Sequence, residues 1–285
     1  MIPIAFDYKK PQSLKEALTL LEQHGDEAKL LAGGHSLIPL MKLRLSEPEV
    51  LIDVSSIPEL RGITEKQKVI TIGATTTHAE IASSDLLHEK AMVITETAYG
   101  IGDAQVRNHG TIGGSLAHAD PAADYPAVMI ALDAKIVIIG PGGERRIKAQ
   151  DFFQDFLTVD IAANEILVSV EFEKNLVAAY AKLPQKASRY ALVGIAASLS
   201  VTNQKCTSAR VAVTGASSHA QRLPVVENKL INNIFNLANI TAASDVAANE
   251  LSELNDDIHG SAEYRRAMVK VFTKRALLSA FQRAK

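Results

Sequence analysis

The chain has 285 residues, 47% of them hydrophobic and 22% charged, which is the balance of an ordinary globular protein large enough for two domains and a sizeable core. A formal net charge of −2 gives no electrostatic reason to expect nucleic acid or an anionic membrane surface as a partner. No uninterrupted apolar stretch reaches the roughly 18 residues of a membrane span. The start MIPIAFDYKK has neither the basic lead nor the apolar run of a signal peptide, so the cytoplasm is the expected compartment.

In the N-terminal third, helices and strands alternate. Ser13 followed by Glu16 predicts a capped helix with Leu14, Ala17, Leu18 and Leu21 on one face. The segment AKLLA (28–32) reads as a short buried strand, and 36–45 as a helix. EVLIDVSSI and KVITIGATTT are further strands, the second ending at Thr77, an N-cap for HAEIAS. Residues 86–99 read as one amphipathic helix, AADYPAVMIALDA as another, and AKIVIIG returns to strand. PGGERR (141–146) follows a strand but lacks G-x-G-x-x-G spacing, so it reads as a hairpin turn rather than a phosphate loop.

From about residue 175 the pattern becomes antiparallel strands, with turns at Asn203–Gln204 and Gly215. Helices follow at roughly 239–254 and 261–283, the last with an apolar stripe of Tyr264, Met268, Val271, Phe272 and Leu278. Strands followed by helices suggest a separate α+β domain. The single cysteine, Cys206, excludes an internal disulfide and a cysteine-held iron–sulfur cluster within this chain, and its strand-like setting reads as structural. The histidines show no metal-ligand spacing, and no metal site is expected.

Two glycine pairs carry the chemistry. In AGGHS, Ala32, Gly33, Gly34, His35 and Ser36 end a strand and open a helix. In TIGGS, Thr111, Gly113, Gly114 and Ser115 repeat the arrangement with two hydroxyls added. Glycine allows positive φ and lets a ligand approach backbone N–H groups with no Cβ in the way. Successive N–H groups in a tight turn form an anion nest, strengthened by a following helix. One nest suits one phosphate, and two opposed nests suit a diphosphate. Asp124 could accept from ribose hydroxyls or cap the helix that follows it. His118 and Asp120, at i and i+2 in a loop, need not face each other, and no catalytic acid or base stands out.

AGGHSLIPLMKLRL followed by QVRNHGTIGGSLAHADPAADYPAVMIALDA resembles the FAD-binding medium subunit of the molybdenum hydroxylases, the aerobic carbon monoxide dehydrogenase and xanthine dehydrogenase type. KASRYALVGIAASLS (186–200) and DIHGSAEYRRAMVKVFTKRAL (257–277) extend the likeness over essentially the whole chain. The resemblance implies an α+β fold: a vanillyl-alcohol-oxidase-type FAD-binding domain at 1–174, with subdomains of about 1–57 and 58–174, then a smaller α+β domain at 175–285. It implies non-covalent FAD with its diphosphate between Ala32–Ser36 and Thr111–Ser115, and Asp124 at the adenosine portion. Leu167 and Lys186 would approach the cofactor, Ile101 would lie beside the flavin, and Tyr190 near the isoalloxazine face.

The resemblance further implies an oxidoreductase subunit that passes electrons from a partner's [2Fe–2S] clusters through FAD to an external acceptor. Its partners would be a large molybdenum–pterin subunit and a small [2Fe–2S] subunit, as a dimer of heterotrimers. A cysteine-bearing insert found in the 4-hydroxybenzoyl-CoA reductase relatives is absent here. The rival reading is a stand-alone flavoprotein oxidoreductase of the same fold acting directly on a small substrate. It requires acid/base residues on this chain.

Overall fold

The computed structural model of the chain describes residues 2–175 and 177–284. Near the N-terminus, the helix Leu14–His24 starts at Ser13, whose hydroxyl accepts from the Glu16 N–H at 3.2 Å. The Glu16 carboxylate reaches past the cap to accept from Gln12 N–H at 2.7 Å. Ala17 and Leu21 are the buried residues of this helix. They join the core of a parallel three-stranded sheet ordered Asp7–Lys9, Val50–Asp53, Ala28–Leu31. All four residues of the central strand are buried, as a parallel sheet covered on both faces requires. The same core continues onto Val137, Ile166 and Val168 of the next sheet.

That next sheet is antiparallel and five-stranded: Ile63–Lys66, Val69–Gly73, Ile166–Glu173, Lys135–Gly140, Gly143–Lys148. The last two strands pair Gly140 with Gly143, so PGG is a hairpin turn. Thr77 caps the helix His78–Ala82 with a complete capping box, its hydroxyl accepting from Glu80 N–H and the Glu80 carboxylate accepting from Thr77 N–H. The helix expected at 86–99 is two helices, Asp85–Lys90 and Met92–Tyr99. Ala91 between them has φ −155° and ψ 53°, which no helix continues through. The helix Tyr125–Ala131 is buried on every side, which is why its sequence shows no polar face.

The C-terminal sheet is antiparallel, ordered Ala178–Pro184, Ala191–Thr202, Lys205–Thr214, Gln221–Arg222. Asn203 and Gln204 have φ of 50° and 63°, the backbone a tight two-residue hairpin demands. Cys206 is buried in this domain's core. The helix expected at 239–254 is Leu237–Asp245, and a further helix, Pro224–Leu230, precedes it with proline in its first turn.

On the last helix, Ala262–Arg283, the buried face is Arg265, Val269, Phe272, Thr273, Ala276, Leu277 and Ala280. Of the expected stripe, Phe272 is buried, whereas Tyr264 and Val271 are exposed. An arginine takes the inward position at the helix start. The Arg265 guanidinium donates to the Leu192 and Gly215 carbonyls at 2.6 and 2.8 Å and pairs with Asp257 at 2.6 Å. Arg265→Met leaves the Leu192 carbonyl without this donor and the Gly215 carbonyl with the Asn255 amide alone, and we expect urea denaturation to show a loss of about 1–3 kcal/mol. A loss within about 0.5 kcal/mol, the level of an ordinary surface change, would contradict this role.

Candidate functional site

The first glycine pair lies between the strand Ala28–Leu31 and the helix Leu37–Lys42. Gly34 has φ of 72°, the left-handed region glycine enters without strain. The turn leaves a row of backbone donors open. Among the described residues, the N–H groups of Gly33, Gly34, His35 and Ser36 have no acceptor in the protein. Ser36 supplies no side-chain cap to the helix it precedes. The residues Ala32 to Ser36 thus present the geometry of an anion nest.

The second glycine pair is built differently. Thr111 caps the helix Ile112–His118, its hydroxyl accepting from Gly114 N–H at 3.1 Å. Ile112 N–H donates to the Thr76 carbonyl, Gly113 N–H to the Ala74 carbonyl and Ser115 N–H to the Thr111 carbonyl. Its donors are therefore taken, and the expectation of two equivalent nests is corrected. Gly113 is required for packing, because a Cβ there would lie 2.5 Å from that of Ala74. Gly114 is exposed and its helical φ is not positive, so it offers a bare backbone surface to solvent.

The two loops touch. A Cβ on Gly33 would sit 2.0 Å from the His109 carbonyl oxygen, so only glycine lets the first loop close on the segment leading into the second. The His35 and His109 rings stack across this contact, with centroids 5.6 Å apart and planes at 28°. Behind them His78 is buried, and its backbone N–H donates to the Gly110 carbonyl at 2.9 Å. Burial lowers the His78 pKa to about 4, aided by the charges of His35 and Arg107, so its ring stays neutral.

Beside the loops, three stretches of chain converge on Lys182. Its ammonium donates to the Gly100 carbonyl at 2.9 Å, the Asp124 carboxylate at 2.9 Å and the Arg189 carbonyl at 2.8 Å. The other Asp124 oxygen accepts from the Tyr180 hydroxyl. Burial raises the Asp124 carboxyl above its ordinary value, and Lys182 and Tyr180 act against that rise. With both oxygens engaged and 4% exposure, Asp124 offers no free acceptor to a ribose. It does not cap the following helix either. Arg189 also donates to the Gly102 carbonyl at 3.1 Å, which ties the turn after Pro184 to the loop holding Ile101.

The remaining expected residues fall around this frame. Ile101 is partly buried against the central core, and its carbonyl accepts from Arg107 at 3.1 Å. Leu167 is buried in the strand beside Val168, whose carbonyl accepts from Ala74 N–H. Ala74 in turn holds Gly113, so Leu167 lies beneath the second loop. Tyr190 is 45% exposed and forms one wall of a cleft of about 400 Å³ between the C-terminal domain and the Asp120–Ala122 loop. Lys186 is exposed on the turn that the Gln185 side chain closes through Ala187 and Ser188 N–H. Asp120 turns back to accept from Ala122 N–H at 2.8 Å and makes no pair with His118.

Sequence reasoning gave Lys182 no role and placed His109 only beside the second glycine motif. Both were visible: Lys182 as a charge inside an otherwise apolar strand, and His109 as the residue immediately before the second glycine motif. Among the described residues, no group of three or more His, Cys, Asp or Glu is placed to hold a metal ion. No helix among them is long and apolar enough to cross a membrane.

An open row of N–H groups on the first glycine loop, joined through Gly33 to the segment that leads into the second, is a geometry suited to an anionic group such as a diphosphate. Comparison with known proteins agrees. The family described as the FAD binding domain in molybdopterin dehydrogenase matches residues 4–172, and the CO dehydrogenase flavoprotein C-terminal domain matches residues 178–280. The medium chain of carbon monoxide dehydrogenase from Hydrogenophaga pseudoflava is 40% identical, covering 99% of both chains. The solved carbon monoxide dehydrogenase of that organism superposes with a TM-score of 0.95 over 99% of each chain. Quinoline 2-oxidoreductase from Pseudomonas putida 86 follows at 0.93, with 32% identity over 99% of each chain. The chain belongs to the FAD-binding medium-subunit family of the molybdenum hydroxylases, and it is an oxidoreductase subunit with an FAD-binding domain.

The glycine contact gives a direct test. Gly33→Ala drives a methyl group into the His109 carbonyl and forces the loops apart, and the purified variant is expected to lose most of its flavin absorbance. Gly142→Ala, where a Cβ meets nothing within 4 Å, keeps the wild-type flavin content. Equal flavin in the two variants would refute the contact.

Proposed function

We propose that this chain is the FAD-carrying electron-transfer subunit of a molybdenum-containing hydroxylase or dehydrogenase, working in the cytoplasm. The carrying observation is the backbone contact at Gly33, which sets the open N–H row of the first loop against the second. Ala32, Gly33, Gly34, His35 and Ser36 hold the FAD diphosphate from one side. Thr111, Gly113, Gly114 and Ser115 close it from the other, with Gly114 giving clearance and Ser115 a hydroxyl. Ile101, Leu167 and Tyr190 line the flavin. Asp124 acts through Lys182 as part of the supporting wall, and Lys182 takes the part that the family resemblance put on Lys186. When bound, FAD supplies reversible electron transfer between a partner's [2Fe–2S] clusters and an external acceptor, and the protein's work is to place and tune it.

In this reading the large subunit holds the molybdenum–pterin cofactor and the substrate site, and a small subunit holds two [2Fe–2S] clusters, as a dimer of heterotrimers. The relatives above are named for carbon monoxide and for quinoline, which supports placing substrate choice outside this chain. Co-expression with the genes beside its own should yield a complex of three kinds of subunit, with flavin released unmodified by acid. A chain that alone turns over a small organic substrate would overturn the assignment in favour of a stand-alone flavoprotein.

The wall has its own test. Lys182→Met leaves a buried carboxylate with the Tyr180 hydroxyl alone and unties Gly100 and Arg189. Fluorescence titration should show FAD affinity reduced by at least tenfold, while Lys186→Met, on the exposed turn, stays within about twofold. The reverse order would return the role to Lys186.

A further inference from the structure

The two exposed imidazoles at the glycine loops have no structural task that the fold explains. His35 stands on the first loop and His109 leads into the second, and both are exposed. Among the described residues, neither ring makes a hydrogen bond or an ion pair with the protein. Their one ring contact is with each other, at 5.6 Å between centroids. A stacked pair of imidazoles is unfavourable when both are protonated, unless an anion lies against them.

The neighbouring cations are committed elsewhere. Arg107, two residues before His109, donates to the Ile101 and Gly102 carbonyls at 3.1 Å and lies over the Tyr99 ring at 5.3 Å. Lys182 has its three donors filled. His78, packed behind the pair, is buried and neutral. The second loop has its own N–H groups satisfied. The open backbone amides of the first loop and the two stacked rings therefore lie at one junction, where Gly33 meets the His109 carbonyl.

We propose that His35 and His109 form a cationic clamp on the FAD diphosphate, so that binding FAD takes up protons near neutral pH. The proposal rests on the FAD reading above and adds His109 to the cofactor-binding residues. The sign follows from linkage. An anion beside an imidazole favours its charged form, so the affinity the pair adds is greatest at low pH and is lost as pH rises. The diphosphate of FAD is a diester whose charge is constant over this range, so the titrating groups belong to the protein.

The experiment uses the full-length chain stripped of flavin. FAD and ADP-ribose, which share the diphosphate, are titrated between about pH 6 and about pH 8.5. Proton uptake is read by calorimetry in two buffers of different ionisation enthalpy. The expected wild-type result is net proton uptake for both ligands, with affinity falling roughly tenfold for each unit by which binding raises an imidazole pKa. His109→Gln and His35→Gln should each remove part of the pH dependence, and the double variant should lie near the wild-type high-pH affinity throughout, with unchanged circular dichroism. The clamp is overturned if wild-type binding is pH-independent, or if both variants keep the wild-type slope. A wild-type chain that binds neither ligand at any pH overturns the FAD reading itself, and the clamp with it.

Discussion

The arrangement of this site depends on one ammonium group. Lys182 is a strand residue of the C-terminal domain, and its three protons meet acceptors from three separate stretches: Gly100, Asp124 and Arg189. A lysine has three donors and no acceptor, so this geometry leaves none of them unsatisfied. Taking an ion pair out of water costs several kcal/mol per ion, and the mutual attraction seldom does more than offset it. The benefit is positional. A lysine with three fixed acceptors allows one placement of the Ile101 loop, the Asp124 segment and the Tyr190 turn, whereas apolar packing would tolerate several.

A second constraint acts between the glycine loops, and it is steric. Gly33 against the His109 carbonyl and Gly113 against Ala74 are contacts that a methyl group cannot share. The two motifs look alike in sequence, each a glycine pair near a serine, yet they do different work. In the first, Gly34 takes a left-handed turn and the donors face outward. In the second, the helix start is closed by the Thr111 hydroxyl and by the carbonyls of Ala74 and Thr76, which seat the helix on the antiparallel sheet. One loop supplies donors, and the other supplies a rigid surface at a fixed distance from them.

Much of this was readable from residue types, because the signals were local. The Thr77 capping box, the PGG hairpin and the left-handed Asn203–Gln204 turn are each decided by a few adjacent residues. The glycine motifs were found for the same reason. What escaped the sequence was decided by contacts distant along the chain. The 86–99 pattern could not show a break at Ala91, which has no unusual side chain. The last helix misled because Arg265, an inward residue, looks like a solvent charge until the carbonyls of Leu192 and Gly215 are seen beside it. Asp124 looked like a free acceptor for the same reason, since Lys182 lies far from it in sequence. Lys182 and Lys186 are equally basic in the sequence, and only the fold shows that the first is bonded inward while the second is exposed.

The site is also where the fold tolerates unfavourable features. His78 Nδ1 and the Tyr125 hydroxyl are buried with no hydrogen-bond partner among the described residues, their rings 5.4 Å apart, and each such atom costs about 1–3 kcal/mol. Ala119 and Arg189 hold left-handed φ of 49° and 63° without being glycine, a further cost on the order of 1 kcal/mol each. These features border the stretches that the cofactor reading uses: His78 behind Gly110, Tyr125 next to Asp124, Ala119 after the second loop, and Arg189 beside Tyr190. A sequence selected for stability alone would fill Ala119 with glycine and replace the Tyr125 hydroxyl with hydrogen. Where such features border the loops, ligand binding stabilises the folded chain in return.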